Sequence, residues 1–142
     1  MNVLAMILAD HQRVLGIIQD LESTRDHRFR EDMSDLLRRE ATLHMNAEER
    51  VFYPALAPFL PDGVTMSIEQ HHLARFSLNS LVNSSKDNPG WLSRLLVFRD
   101  ITVNHMVQEE GPVFDTATRF LGENQPQKIG THLPGGQGPQ SP

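Results

Sequence analysis

The chain is 142 residues long with a formal net charge of −5, enough for one domain with a sizeable core. Its 13 Lys and Arg are not gathered on one stripe, so no nucleic-acid partner is expected. With no cysteine, disulfides, thiol catalysis and Cys-based zinc or iron–sulfur sites are excluded, and the seven histidines become the unusual quantity.

No strand-length alternation of apolar and polar residues stands out, whereas helical spacing recurs four times. The first helix is expected over residues 2–22, with Ile7, Val14, Ile18 and Leu21 on one seam. Its opening apolar run, 3–9, is too short to span a membrane and no basic residue precedes it. It flows into Asp10-His11 and reads as the start of a helix in a cytoplasmic protein with no membrane partner. A polar segment, 23–30, leads to a second helix over 31–53, whose seam holds Leu37, Ala41, Val51 and Ala55. Pro54, Pro58 and Pro61, with Asp62-Gly63, are expected to end that helix in a longer connection. Thr65 or Ser67 is the expected cap of a third helix, whose seam carries Ala74, Leu78 and Leu81 as far as Asn83. Asn88-Pro89 reads as N-cap and first-turn proline of a fourth helix over 89–110, with Leu95, Phe98 and Thr102 inward. Gly111-Pro112 interrupts it and leaves 113–121 as a kinked extension or a separate short helix.

Four amphipathic helices with short links predict an all-α fold, an antiparallel up-down-up-down four-helix bundle over residues 1–121. The tail, 122–142, is rich in Gly, Pro and Gln and is expected to be disordered, with His132 playing no part.

Two stretches say nearly the same thing: His44-x-x-x-Glu48-Glu49 before Val51-Phe52, and His105-x-x-x-Glu109-Glu110 before Val113-Phe114. Residues four apart share a helix face, so each stretch offers an imidazole and a carboxylate pointing one way. His11 and His71 sit inward early in the odd helices, and His44 and His105 inward late in the even ones. In an up-down-up-down bundle those are the same end, and all four lie roughly 20 Å from the far turns at 1.5 Å per residue. Four imidazoles and the carboxylates Glu48 and Glu109 therefore converge on one layer.

A single His on an apolar seam is more often a hydrogen-bonded core residue than a ligand. Six polar groups at one level are another matter, because burying them without a compensating cation is very costly. Imidazole and carboxylate without thiolate suit iron, manganese or zinc. Six side chains exceed one tetrahedral zinc, and two metals bridged by carboxylates fit better. Glu49 and Glu110 rotate toward the flank, to be solvated or to support a ligand, with Glu110 open to turning inward at the Gly111 break. His71 has a better seam than His72, whose single Glu69-x-x-His72 unit has no second copy of the kind ferritin-like di-iron bundles use. His27 is expected to be exposed, and Tyr53 and Arg75 lie near the level of the site, Tyr53 as a packing residue.

Asp10-His11-x-x-Val14, His44-x-x-x-Glu48-Glu49-x-Val51-Phe52-Tyr53-Pro54, Gln70-His71 and His105-x-x-x-Glu109-Glu110 together resemble the hemerythrin-like family, in its His-His-Glu cation-binding branch, over residues 8–116. The resemblance implies a non-haem di-iron centre, two iron ions with an oxo or hydroxo bridge. It places His11 and His44 on one iron and His71 and His105 on the other, with Glu48 and Glu109 bridging. It implies a protein that binds oxygen, nitric oxide or peroxide for storage, sensing or detoxification. A peroxide-consuming enzyme and a metal-stabilised interaction module are the alternatives. The chain departs from the oxygen carriers at Arg75, where they have a fifth His, and at Glu110, where they have Asp. Four histidines leave open coordination for water, Tyr53 or an exogenous ligand.

Overall fold

The computed structural model describes residues 2–123. Among them the chain forms α1 (Val3–Ser23), α2 (His27–Ala47), the short α3 (Tyr53–Leu56), α4 (Pro61–Asn83), α5 (Trp91–Gln108) and the short α6 (Phe114–Leu121), and no strand. A π turn, Glu48–Phe52, carries α2 into α3, and a second, Glu109–Val113, carries α5 into α6. Helix α1 packs on α2 and α5, and α4 packs on α5 and α2, which closes the expected antiparallel four-helix bundle. No helix among the described residues is long and apolar enough to cross a membrane. Apart from residues 122 and 123, the tail and His132 lie outside the described residues.

Side-chain caps move several boundaries. Asn2 Oδ1 accepts from the Leu4 and Ala5 amides at 2.9 and 3.4 Å and starts α1. Asp26 Oδ1 accepts from the Phe29 amide at 3.0 Å, so α2 begins at His27 and the expected polar link shrinks to residues 24–26. Helix α4 begins at Pro61 instead of at Thr65 or Ser67, because proline's missing N–H is no loss in a first turn. Asn88 Oδ1 accepts from the Gly90 amide at 2.7 Å, a local turn that delays α5 to Trp91. Gly122, at φ 71°, ends α6 in the left-handed conformation that glycine adopts without strain.

The π turns correct the expected seam of the second helix. Each closes a wider loop, with the Tyr53 amide on Glu48 O and the Phe114 amide on Glu109 O, five residues back. One extra residue in the turn advances the inward stripe by one position. Phe52, Tyr53 and Leu56 are therefore buried, while Val51, 66% exposed, and Ala55 face solvent. Likewise Val113, Phe114 and Ala117 face in and Pro112 faces out. Neither proline ends its helix, since Pro54 falls in the first turn of α3 and Pro112 inside the second π turn.

The core is divided. One apolar cluster, around Leu21, Leu37, Leu81 and Trp91, fills the end near the α1–α2 turn. Another, around Leu4, Phe52, Leu56 and Phe114, fills the opposite end. Along α1 and α4 the histidine falls between the two, while on α2 and α5 the first cluster runs one residue past it, to Met45 and Met106.

Candidate metal centre

His11 on α1, His44 on α2, His71 on α4 and His105 on α5 are all buried and meet in pairs. The His11 and His44 rings stand edge to face at 4.9 Å, and those of His71 and His105 at 4.7 Å. Each Nδ1 is directed at an oxygen outside the cluster. His11 Nδ1 is 2.8 Å from Glu110 Oε2, and His44 Nδ1 is 3.0 Å from Asp10 Oδ2. His71 Nδ1 is 2.6 Å from Glu49 Oε2, and His105 Nδ1 is 2.6 Å from Gln70 Oε1. An ionised carboxylate or an amide oxygen only accepts, so each contact places a proton on Nδ1 and turns Nε2 toward the centre.

At the centre these nitrogens meet carboxylates. His11 Nε2 lies 3.0 Å from Glu109 Oε1, His44 Nε2 3.0 Å from Glu48 Oε1, and His71 Nε2 3.2 Å from Glu48 Oε1. His105 Nε2 lies 3.5 Å from Glu109 Oε2 and 3.2 Å from His71 Nε2. Much of this is acceptor against acceptor. His44 Nε2 and Glu48 Oε2 are buried without a hydrogen-bond partner, and the short His44–Glu48 approach is not aligned as one. The Tyr53 hydroxyl sits among four acceptors: Glu48 Oε1 at 3.2 Å, His71 Nε2 at 3.2 Å, His105 Nε2 at 3.4 Å and Glu109 Oε2 closest of all. Its single proton can satisfy one of them. Tyr53 fills both of its expected roles: its ring belongs to the apolar cluster at the Leu4 end, and its hydroxyl reaches the middle of the polar layer.

The electrostatics describe a layer that compensates with protons. Burial, then the charge of Glu109, pushes the Glu48 carboxyl well above the usual carboxylate range. Against burial, hydrogen bonds from Glu48, His105 and His11 hold Glu109 well below it. Burial alone would lower His11, yet Glu109 and Glu110 on either side raise it to about 9. Burial and the nearby charge of His105 lower His71 to about 4. Burial, then the charges of Glu109 and Glu48, keeps the Tyr53 phenol protonated far above its ordinary range. The outer acceptors behave differently. The hydrogen bond from His44 is the chief cause that lowers Asp10, and Arg75 and His71 lower Glu49 against its partial burial.

Two donor groups could each hold a cation: His11, His44, Glu48 and Glu109, and, sharing Glu48, His71 and His105. All six expected residues are brought together. Glu109 reaches from His11 with Oε1 to His105 with Oε2, so both central carboxylates span the two groups. Five carboxylates (Asp10, Glu48, Glu49, Glu109 and Glu110) and the Arg75 guanidinium, 2.8 Å from Glu49, carry a net charge matching two divalent cations when ionised. Oxygen and imidazole donors with orphaned buried lone pairs fit such cations. His72, with Glu69 at 3.7 Å, and His27, with Asp87 at 2.8 Å, are exposed and stand apart.

Sequence reasoning allowed Glu49 and Glu110 a ligand-supporting role but missed Asp10 and Gln70 as supports of the same kind. Asp10 and Gln70 each precede an odd-helix histidine and hold an even-helix one; Glu49 and Glu110 each follow an even-helix glutamate and hold an odd-helix histidine. The repeat in the sequence was the available signal. Of the two positions left open for Glu110, the structure takes the inward one: it is 4% exposed and turned onto His11. Arg75, in the place of a fifth histidine, braces Glu49 and donates to Asn46 Oδ1 at 2.9 Å.

A helical bundle closed around buried imidazoles and carboxylates defines a cation-binding protein. A family model described as the hemerythrin HHE cation-binding domain matches residues 2–117, and the chain belongs to that family. It is also 27% identical over 135 residues to a Nostoc sp. protein named DNA nickase, an alignment covering 94% of this chain and 38% of that relative. The chain thus spans about two fifths of the curated relative's length. No solved structure matches it.

Proposed function

We propose that the chain is a non-haem di-iron protein that binds oxygen or a related small ligand, nitric oxide or peroxide, for storage, sensing or detoxification. The observation that carries the reading is the outward anchoring of all four Nδ1 atoms, which aims four Nε2 atoms at two shared carboxylates. Metal-bound histidines are characteristically held this way by a partner on the far nitrogen. In the proposal His11 and His44 hold one iron, His71 and His105 the other, and Glu48 and Glu109 bridge them. Tyr53 stands beside the second position, and its phenol can add to that shell or hydrogen-bond to a ligand there.

A bound iron pair would supply a Lewis-acidic, redox-active centre. The chain's own part is to fix the imidazoles, exclude bulk water between the apolar clusters, and yield the protons that His11 and Glu48 hold without metal. The test is elemental analysis of protein purified without oxygen, with absorption spectra before and after air. Two irons per chain and a new charge-transfer band are expected. One zinc and no band would overturn the proposal.

A further inference from the structure

Three of the four central histidines are anchored by carboxylates: His11 by Glu110, His44 by Asp10 and His71 by Glu49. An ionised carboxylate can only accept, so it fixes the proton on Nδ1 whichever way it turns. His105 is different, because its Nδ1 faces the side-chain amide of Gln70. An amide head has an acceptor on one side and N–H donors on the other. Turned over, Gln70 would donate to Nδ1, and the proton of a neutral imidazole would sit on Nε2, facing the centre. The amide must therefore be held the right way round.

Two further side chains hold it. Gln70 Nε2 donates to Gln108 Oε1 at 2.6 Å, and Gln108 Nε2 donates in turn to Met66 Sδ at 2.8 Å. The ladder is built by helical spacing: Met66 and Gln70 are four apart on α4, and His105 and Gln108 three apart on α5, so each pair shares a face. Every donor in it points outward, from His105 to the half-exposed Met66. A thioether cannot donate, so an acceptor closes the outer end and both amides keep their oxygens inward.

We propose that Gln108 is a positioning residue for the centre: through Gln70 it decides which nitrogen of His105 carries the proton, and Met66 holds it in that direction. The consequence for metal rests on the di-iron reading, whereas the place of the proton is a property of the metal-free chain.

The test uses the full metal-free chain with ¹⁵N-labelled histidine, in alkaline buffer, where a neutral ring carries a single proton. Long-range nitrogen–proton correlation spectra show which nitrogen bears it, with the His105 signals identified by their absence from His105→Gln. Wild type and Gln108→Glu, which can only accept, should show the proton on Nδ1. Gln108→Lys, which can only donate, should turn Gln70 over and move the proton to Nε2. Met66→Lys, at an exposed position, puts a donor at the outer end and should do the same, so it decides the matter if Gln108→Lys does not fold. Val107→Lys adds the same charge beside the ladder, on an exposed residue, and should leave the proton on Nδ1. Anaerobic iron(II) titration should then show one of two metals bound roughly 10- to 100-fold more weakly in Gln108→Lys and Met66→Lys, the usual cost of disturbing a metal-bound histidine's partner. An Nδ1 proton in both of those variants would overturn the inference, as would an Nε2 proton in Val107→Lys. A wild type with the expected proton but no bound iron would leave the ladder standing and bring down the metal reading instead.

Discussion

Glu110 offers a stringent test because it is no ligand in the proposal and yet should govern one. Its carboxylate accepts from His11 Nδ1 at 2.8 Å with both groups buried. Glu110→Ala leaves that N–H without this acceptor and frees the imidazole to place its proton on Nε2, toward Glu109 Oε1 at 3.0 Å, the position a metal must take. A hydrogen bond to a charged group contributes about 1.5–3 kcal/mol, which corresponds to about 10- to 150-fold in affinity. That agrees with the roughly 10- to 100-fold cost typical of losing a histidine's supporting partner. Glu110→Gln keeps the shape and an accepting oxygen and should lose less. Anaerobic iron(II) titration against a competing chelator measures the affinity, and circular dichroism checks that the bundle is intact. Wild-type affinity in a folded Glu110→Ala protein would refute the idea that the outer ring sets the tautomers.

Other outcomes follow from the same geometry. His44→Ala or His105→Ala should abolish two-metal stoichiometry in elemental analysis, whereas His27→Ala, exposed beside Asp87, should not; metal loss on changing His27 would count against the assignment. Metal should load in two steps, because the first pair of histidines is backed by the carboxylates Asp10 and Glu110, whereas the second has neutral Gln70 behind His105 and Arg75 offsetting Glu49. Gln70→Glu should bring the two steps of the isotherm together, and a single step in the wild type would exclude the asymmetry. Loading must displace protons from His11, raised to about 9, and from Glu48, also raised, so apparent affinity should fall as pH drops from 9 to 6. A flat profile with no proton release in weak buffer would contradict this.

The bundle and the six central residues were legible in the sequence because both depend on a period near 3.6, which needs no knowledge of the partner helix. Counting from His11 to Val14 or from His44 to Glu48 fixes a face, and the alternation of helix direction brings the faces to one level. Beyond Glu48 and Glu109 the same count fails, since each π turn holds one residue more than an α turn and nothing in a periodic template announces it. That miss left Tyr53 at the level of the site without a face. Continuing the α period from Glu48 puts Val51 and Ala55 inward, whereas the wider turn brings in Phe52 and Tyr53 and delivers the phenol to both carboxylates. The second π turn does the same for Phe114, which corresponds to Tyr53 in the repeat but has no hydroxyl. The twin motifs therefore build a nearly two-fold polar layer whose symmetry is broken at its centre by one oxygen atom, as it is in the outer ring by Gln70 and Arg75. That oxygen lies by His71 and His105, so a chemical difference between the two proposed metal positions is written in the residue that follows each π turn.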